Sequence, residues 1–335
     1  NKEEKRLLFP ILYQLSSKFR INFFIHFKHI WIKYNLYLHL KLVALGKNLS
    51  LNIVKELTKF RLTLSVVFSS FISYFLGAEV IDYIQLSLLL IGGVLIVGSS
   101  NIFNQIIEKD LDKLMARTKN RPLPKKEISQ SLASFIAITC SLLGIFFMYL
   151  INVKVAILAS ISIFLYTAIY TPMKLISPLS VFVGAIPGAF PFMIGWVAAT
   201  NNIGIEAITL FLMQFFWQFP HFWSIGWSQN SDYQKAGFKM LPTGKKDNST
   251  SAQILFYSFW AVITSIIPFF GITGKLKLSP IGLIVVLLLG IFLIHKSYKL
   301  FIYGKNENAR KLMVTSVIYL TFVQLTFLFD KILDL

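Results

Sequence analysis

Cysteine is almost absent: the 335 residues contain one, Cys140. An intramolecular disulfide is therefore excluded, and with no partner in its apolar surroundings this thiol reads as packing. Acidic side chains are also scarce, 15 Asp and Glu against 33 Lys and Arg, and charged residues make up only 14% of the chain. That leaves too little polar surface for a water-soluble protein of this length. There is no low-complexity tract, and the first residues lack the n-region, h-region and small-residue cleavage pattern of a secretory signal. What the chain has instead is apolar residues, 55% of the total. They gather into runs near the ~20 residues that cross a bilayer.

The net charge of +18 would suggest nucleic acid in a soluble domain. Here the cations sit in loops between apolar runs, which positive-inside topology explains, so nucleic-acid binding is set aside. The pattern predicts an all-α polytopic membrane protein with nine helices, at 61–78, 84–107, 131–151, 154–171, 178–200, 205–228, 252–273, 279–297 and 312–330. Basic loops follow the second helix (Lys109 to Lys126), the sixth (Lys235 to Lys246) and the eighth (Lys296 to Lys311), and the alternate loops are poor in cations. This bias places the N-terminus in the cytoplasm and the C-terminus outside. Without an Arg- and Ser-rich transit segment, the expected location is a bacterial inner (plasma) membrane. Residues 1–50 read as a basic N-terminal extension, interfacial or poorly ordered, with His26, His29 and His39 as surface residues. The membrane domain is expected over 51–335.

The second predicted helix runs into GSSNIFNQIIEKDLDKLMARTKNRPLP, Gly98 to Pro124. Asn104, Glu108 and Asp112 recur every four residues, each step turning the position by about 40°, so they form one stripe ~12 Å long. Asn101 shares that side, while Asp110 points nearly opposite as a solvated or supporting residue. Carboxylates at the end of a membrane helix are expensive and usually face a cavity. Oxygen donors without His or Cys suit Mg2+, which keeps several waters and bridges to substrate phosphates. Lys113, Arg117 and Arg121 then recur at the same interval until Pro122 ends any helix. A stripe able to hold a metal thus runs into one able to hold phosphate oxygens. The plainer alternative is a helix end laced with i,i+4 ion pairs. An Asn–acid–acid register followed by a cation register favours the diphosphate–metal site.

The sixth predicted helix carries FLMQFFWQFPHFWSIGWSQNSDY. Gln214, Gln218, His221, Ser228 and Asp232 fall within an arc of about 80° if the helix passes through Pro220. Such a stripe in an apolar, aromatic helix needs partners or a wet cavity. An interhelical hydrogen bond would account for His221 alone; beside Trp217, Phe219, Phe222 and Trp223 the stripe reads as a cavity wall. Lys235 and Lys239 in the following loop are further phosphate candidates. GAIPGAFPFMIGW, Gly184 to Trp196, offers small residues for close helix approach or for a bulky ligand. A transporter also carries polar stripes, but here the carboxylates cluster at cytoplasmic helix ends, without paired charges at mid-helix.

From Asn101 through Leu123 the chain resembles the first signature of the UbiA-type membrane prenyltransferases, NxxxDxxxD, here Asn104, Glu108 and Asp112. MARTKNRPLP, YTPMK at 170–174, GAIPGAFPFMIGW, WQFPHFW at 217–223 and DYQKAGFKMLP at 232–242 are similar to the branch that farnesylates protoheme. The resemblance covers roughly residues 52–330. It implies a nine-span bundle around a central cavity capped by two cytoplasmic loops, with Mg2+ as cofactor. The implied reaction moves farnesyl from farnesyl diphosphate to a vinyl group of heme b, giving heme O and diphosphate. Branches with quinone-precursor or lipid acceptors usually carry a second aspartate-rich motif after helix six, where this chain has Pro-His-Phe and Asp232.

The resemblance implies catalytic roles for Asn104, Glu108 and Asp112, as metal ligands, and for Arg117 and Arg121. It implies substrate-binding roles for Asn101, Lys119, Lys174, Gln218, His221, Asp232, Tyr233, Lys235 and Lys239. Trp217 and Phe222 offer ring faces to an allylic cation. His221 is left to orient the heme, ligate its iron or hold a propionate. The implied partners are farnesyl diphosphate, heme b, the lipid bilayer and a downstream heme A synthase or terminal oxidase. Three positions depart from the family pattern: Glu108 replaces the usual aspartate, Leu175 an expected basic residue, and Phe60 interrupts a usual Lys-Pro-Arg entrance to helix one.

Overall fold

The computed structural model describes residues 50–333, nearly all in one unit that begins at Asn52. Residues 1–49 of the expected extension, with His26, His29 and His39, lie outside the described residues. Among the described residues every regular element is helical. A short α1 (Leu51–Leu57) leads into α2 (Phe60–Gly77), with Lys59 between them at a left-handed φ of 47°. α3 (Tyr83–Asp112) opens on Asp82, whose carboxylate accepts the N–H groups of Ile84 and Gln85. It runs five residues past its predicted end at 107. The prediction stopped where the apolar residues stop, whereas the buried polar stripe carries the helix on to Asp112.

α4 (Gln130–Ile151) and α5 (Val153–Phe164) form a hairpin, each started by a capping side chain, Ser129 and Asn152. α5 widens into a π-helical stretch, Leu165–Tyr170, before α6 (Thr171–Ile176) closes the run. π turns often mark functional positions, and this one carries Tyr166 and Tyr170 to the cavity wall. There follow α7 (Ser180–Thr200), α8 (Ile205–Ser228), a short α9 (Asn230–Lys235), α10 (Asn248–Ile266), α11 (Pro280–Tyr303) and α12 (Asn306–Ile332).

Eight helical runs among the described residues are long and apolar enough to cross a membrane. α8, the sixth of the nine predicted, has 24 residues but does not belong to that group. Glu206, Gln214, Gln218, Pro220 and His221 dilute its apolar character. α3 packs along α4, α2 along α7, α7 along α8, and α8 along α10 and α12; α12 returns to α2 and closes the bundle. The outer faces are apolar, with Leu142 and Phe146 of α4 and Leu288 and Ile291 of α11 exposed, as lipid contact requires.

α7 is the most buried of the eight candidate spans among the described residues, and its small residues explain how. Gly195 admits the backbone of α2: an added Cβ would overlap the carbonyl oxygen of Ser70. The Ser70 hydroxyl donates to the Pro191 carbonyl at 2.8 Å, tying the same two helices. Pro191 has no N–H for the Pro187 carbonyl, which accepts from the Ser162 hydroxyl at 3.4 Å instead. Gly188 leaves the space that the Gln218 carboxamide fills.

Candidate active site

A cavity of about 520 Å³ lies within the bundle, lined by α2, α3, the π stretch, α7, α8 and α12. Its charged end is built on the last turns of α3. Asn104 Oδ1 accepts from Lys59 Nζ at 2.9 Å, and its Nδ2 donates to Thr171 Oγ1 at 3.4 Å. One turn on, Glu108 accepts from Lys174 Nζ at 2.7 Å. After another turn Asp112 accepts from Arg121 Nη1 at 2.9 and 2.7 Å through its two oxygens. The stripe read from spacing therefore lines one cavity, and each of its residues faces a cation. Asn101 lines it too, donating to Thr58 O at 3.2 Å and Thr63 Oγ1 at 3.3 Å. Asp110 is turned away and exposed, paired with Lys113 at 2.7 Å.

The cation register does not continue the helix. α3 ends at Asp112 and the chain turns back, with Thr118 Oγ1 donating to Asp112 O at 3.0 Å and Arg121 N–H to Thr118 O at 3.0 Å. That turn, not helical spacing, brings Arg117 and Arg121 to the cavity and leaves Lys119 exposed on its outer side. We expect Arg121→Ala to cut turnover by at least tenfold and Lys119→Ala to stay within about twofold, since only one of them meets the buried acids. Steady-state rates of the two purified variants check this, and equal losses would count against the placement.

Lys174 lies buried, its Nζ 4.5 Å from the centre of the Tyr170 ring and 5.6 Å from that of Phe238. Lys59 is half-buried beside two further cations. Loss of hydration, then the charges of Arg121 and Lys174, push its ammonium down to about 7. Lys59 was not singled out from the sequence, although it stands at the entrance to the first span. Tyr166, Tyr170 and Phe238, also in the wall, were equally missed; the four-residue spacing of Tyr166, Tyr170 and Lys174 was a usable signal.

The second stripe divides. α8 continues through Pro220, so Gln214, Gln218 and His221 line the cavity together. Gln218 Nε2 donates to Ala185 O at 2.8 Å, and His221 Nδ1 lies 2.9 Å from Ser316 Oγ. The helix ends at Ser228, however, and Asp232 belongs to α9 rather than to that arc. Asp232 accepts from Lys235 at 3.2 Å, and also from the backbone N–H groups of Arg117 and Ala116. These bonds, the lysine's first, hold its carboxyl below the usual range. Asp232 thus fastens the segment after α8 to the turn after α3 rather than lining the cavity. Lys235 is exposed, and Lys239 is exposed with its Nζ donating to Ile176 O at 3.1 Å; neither reaches the cavity. Tyr233 from the same loop does.

Residues 66–323 match the family described as the UbiA prenyltransferase family, well over half of the chain. The chain belongs to that family. Among its UbiA relatives is the protoheme IX farnesyltransferase of Christiangramia forsetii, 54% identical over 277 residues, which cover 83% of this chain and 92% of that one. The protoheme IX farnesyltransferase of Flavobacterium psychrophilum is 52% identical over 285 residues, 84% of this chain and 95% of that one. A solved structure of digeranylgeranylglyceryl phosphate synthase superposes with a TM-score of 0.70 at 21% identity, over 83% of this chain and 97% of the other. A UbiA homolog from Archaeoglobus fulgidus, bound to GPP and Mg2+, gives 0.60 at 16% identity, over 82% and 99%. These two likenesses establish the UbiA fold.

Proposed function

We propose that this UbiA enzyme is a protoheme IX farnesyltransferase, which transfers farnesyl from farnesyl diphosphate to a vinyl group of heme b. The observation that carries this reading is a single cavity with two chemistries: buried carboxylates and cations at one end, aromatic and apolar walls beyond. A diphosphate on a polyprenyl chain has the same division. Lys59, Lys174, Arg117 and Arg121 bind the diphosphate and neutralise charge as the carbon–oxygen bond breaks. The freed allylic carbon bonds the terminal vinyl carbon, water adds its hydroxyl to the neighbouring carbon, and one proton leaves. Trp217 and Phe222 line the path of the allylic cation and exclude water from it. Gln218 and Tyr233 shape the wall.

Asn104, Glu108 and Asp112 fit a magnesium ion. They are hard oxygen donors on one face, and each is matched by a cationic nitrogen, so the cavity already balances positive charge against them. Among the described residues no three carboxylates, histidines or cysteines gather to hold a metal by themselves. That suits an ion held by one or two carboxylates and completed by substrate phosphates. When bound, the ion would draw charge from the diphosphate oxygens and ease their departure.

The prenyltransferase unit is read as 51–335, with nine spans including α8, in a bacterial inner membrane. The N-terminus is cytoplasmic, the C-terminus outside, and the product passes to a heme A synthase or terminal oxidase. Purified protein given heme b, farnesyl diphosphate and Mg2+ should yield a porphyrin heavier by one farnesyl group plus water, and EDTA should abolish it. Diphosphate release with a quinone-type acceptor and not with heme would discard the heme assignment.

A further inference from the structure

We propose that Ser316 sets the tautomer of His221 so that the ring's Nε2 ligates the iron of the heme substrate. The inference rests on the heme reading above and adds how the porphyrin is held. His221 Nδ1 lies 2.9 Å from Ser316 Oγ. The serine hydroxyl has one proton, and it is donated to the Met313 carbonyl at 2.7 Å. Both contacts of Ser316 Oγ are hydrogen bonds only when it accepts from the ring, which puts the hydrogen on Nδ1 and the lone pair on Nε2.

This assignment separates the roles open to His221. Holding a propionate needs an N–H to offer a carboxylate, and Nε2 in this tautomer would present a lone pair to it. Binding iron needs that lone pair. Ligating imidazoles characteristically donate their other N–H to a protein oxygen, which fixes the ring and raises its basicity. Ser316 also holds the neighbouring ring: Trp217 Nε1 donates to its carbonyl at 2.6 Å. Trp217 in turn stacks on His221, with centroids 4.7 Å apart and planes 16° from parallel. One residue of α12 thus orients two rings of α8, and both rings are in the cavity wall. Because Glu108, Asp112 and Arg121 line the same cavity, an iron-bound porphyrin and the diphosphate share one space, as the transfer requires.

The test uses the full chain in detergent with ferric heme b and no farnesyl diphosphate, read by absorption and electron paramagnetic resonance. Wild type should show an imidazole-ligated iron. His221→Ala should lose that signature and regain it on addition of free imidazole. Ser316→Ala keeps the histidine and should bind heme about tenfold more weakly, the scale expected for loss of an outer partner of a metal ligand. A thermal shift with farnesyl diphosphate shows that both variants remain folded. Identical heme spectra for wild type and His221→Ala would overturn the iron assignment, and wild-type heme affinity in Ser316→Ala would overturn the role of the serine. If the ligation signature is absent from a wild type that still farnesylates heme, the ligation fails and the reaction stands. If wild type neither binds heme nor farnesylates it, both fail.

Discussion

Asp112→Ala is expected to lower turnover by about 100-fold or more while leaving the protein folded, the scale on which removing one group that stabilises developing charge is felt. The side chain is fully buried, and both of its oxygens engage Arg121. On the proposed reading its loss removes one of two carboxylates offered to the magnesium ion, and it frees Arg121 from the two oxygens that hold it. The helix should survive, because Asp112 is its last residue and the turn that follows is held separately by Thr118. Asp110→Ala is the control: that carboxylate is exposed and pairs only with Lys113. Initial rates at saturating heme, with Mg2+ varied, check the prediction. Near-normal turnover of a purified Asp112→Ala protein would remove the metal-site claim.

Gly195→Ala is expected to give the largest loss of stability from the smallest change. The added methyl would overlap the carbonyl oxygen of Ser70 and the hydroxyl of Ser73, both on α2. A backbone carbonyl in a packed helix cannot swing aside as a side chain does, so α2 and α7 must move apart. Overpacking of this kind typically costs about 1–3 kcal/mol, occasionally more. It would also strain the Ser70–Pro191 hydrogen bond between the same helices. Thermal melting in detergent reads the effect. A Gly195→Ala protein that melts with wild type would show that the two helices have slack at this crossing.

How far the site was legible differs from residue to residue. Asn104, Glu108 and Asp112 follow from spacing alone, because side chains four apart on a helix share a face in any environment. Arg117 and Arg121 were singled out for a register that is not there: the chain turns at Asp112, and a three-dimensional return delivers the two arginines. Lys119 was named through the resemblance rather than through that register, and it is exposed and away from the cavity wall. Asp232 looked like the far end of the α8 stripe, yet a helix break four residues earlier puts it to work between loops. The polar cluster Ser-Gln-Asn-Ser-Asp from Ser228 to Asp232, close behind Gly226, was a usable signal for that break. Ser316 is a hydroxyl in an apolar helix, and nothing in its neighbours points to a histidine 95 residues away.

The sequence by itself determined that the chain is helical and membrane-embedded, where its long helices lie to within six residues at either end, and which face of α3 is polar. Those properties depend on composition and on spacing along one segment, and hydrophobic length and helical periodicity translate them directly. Only the tertiary structure decided which cation meets which acid. Lys59, Lys174 and Arg121 reach the α3 stripe across 45, 66 and 9 residues of chain. Such pairings follow from how helices pack and loops return: a buried charge must find an opposite charge or hydrogen-bond partner nearby, and that partner is chosen by proximity in space rather than position in sequence.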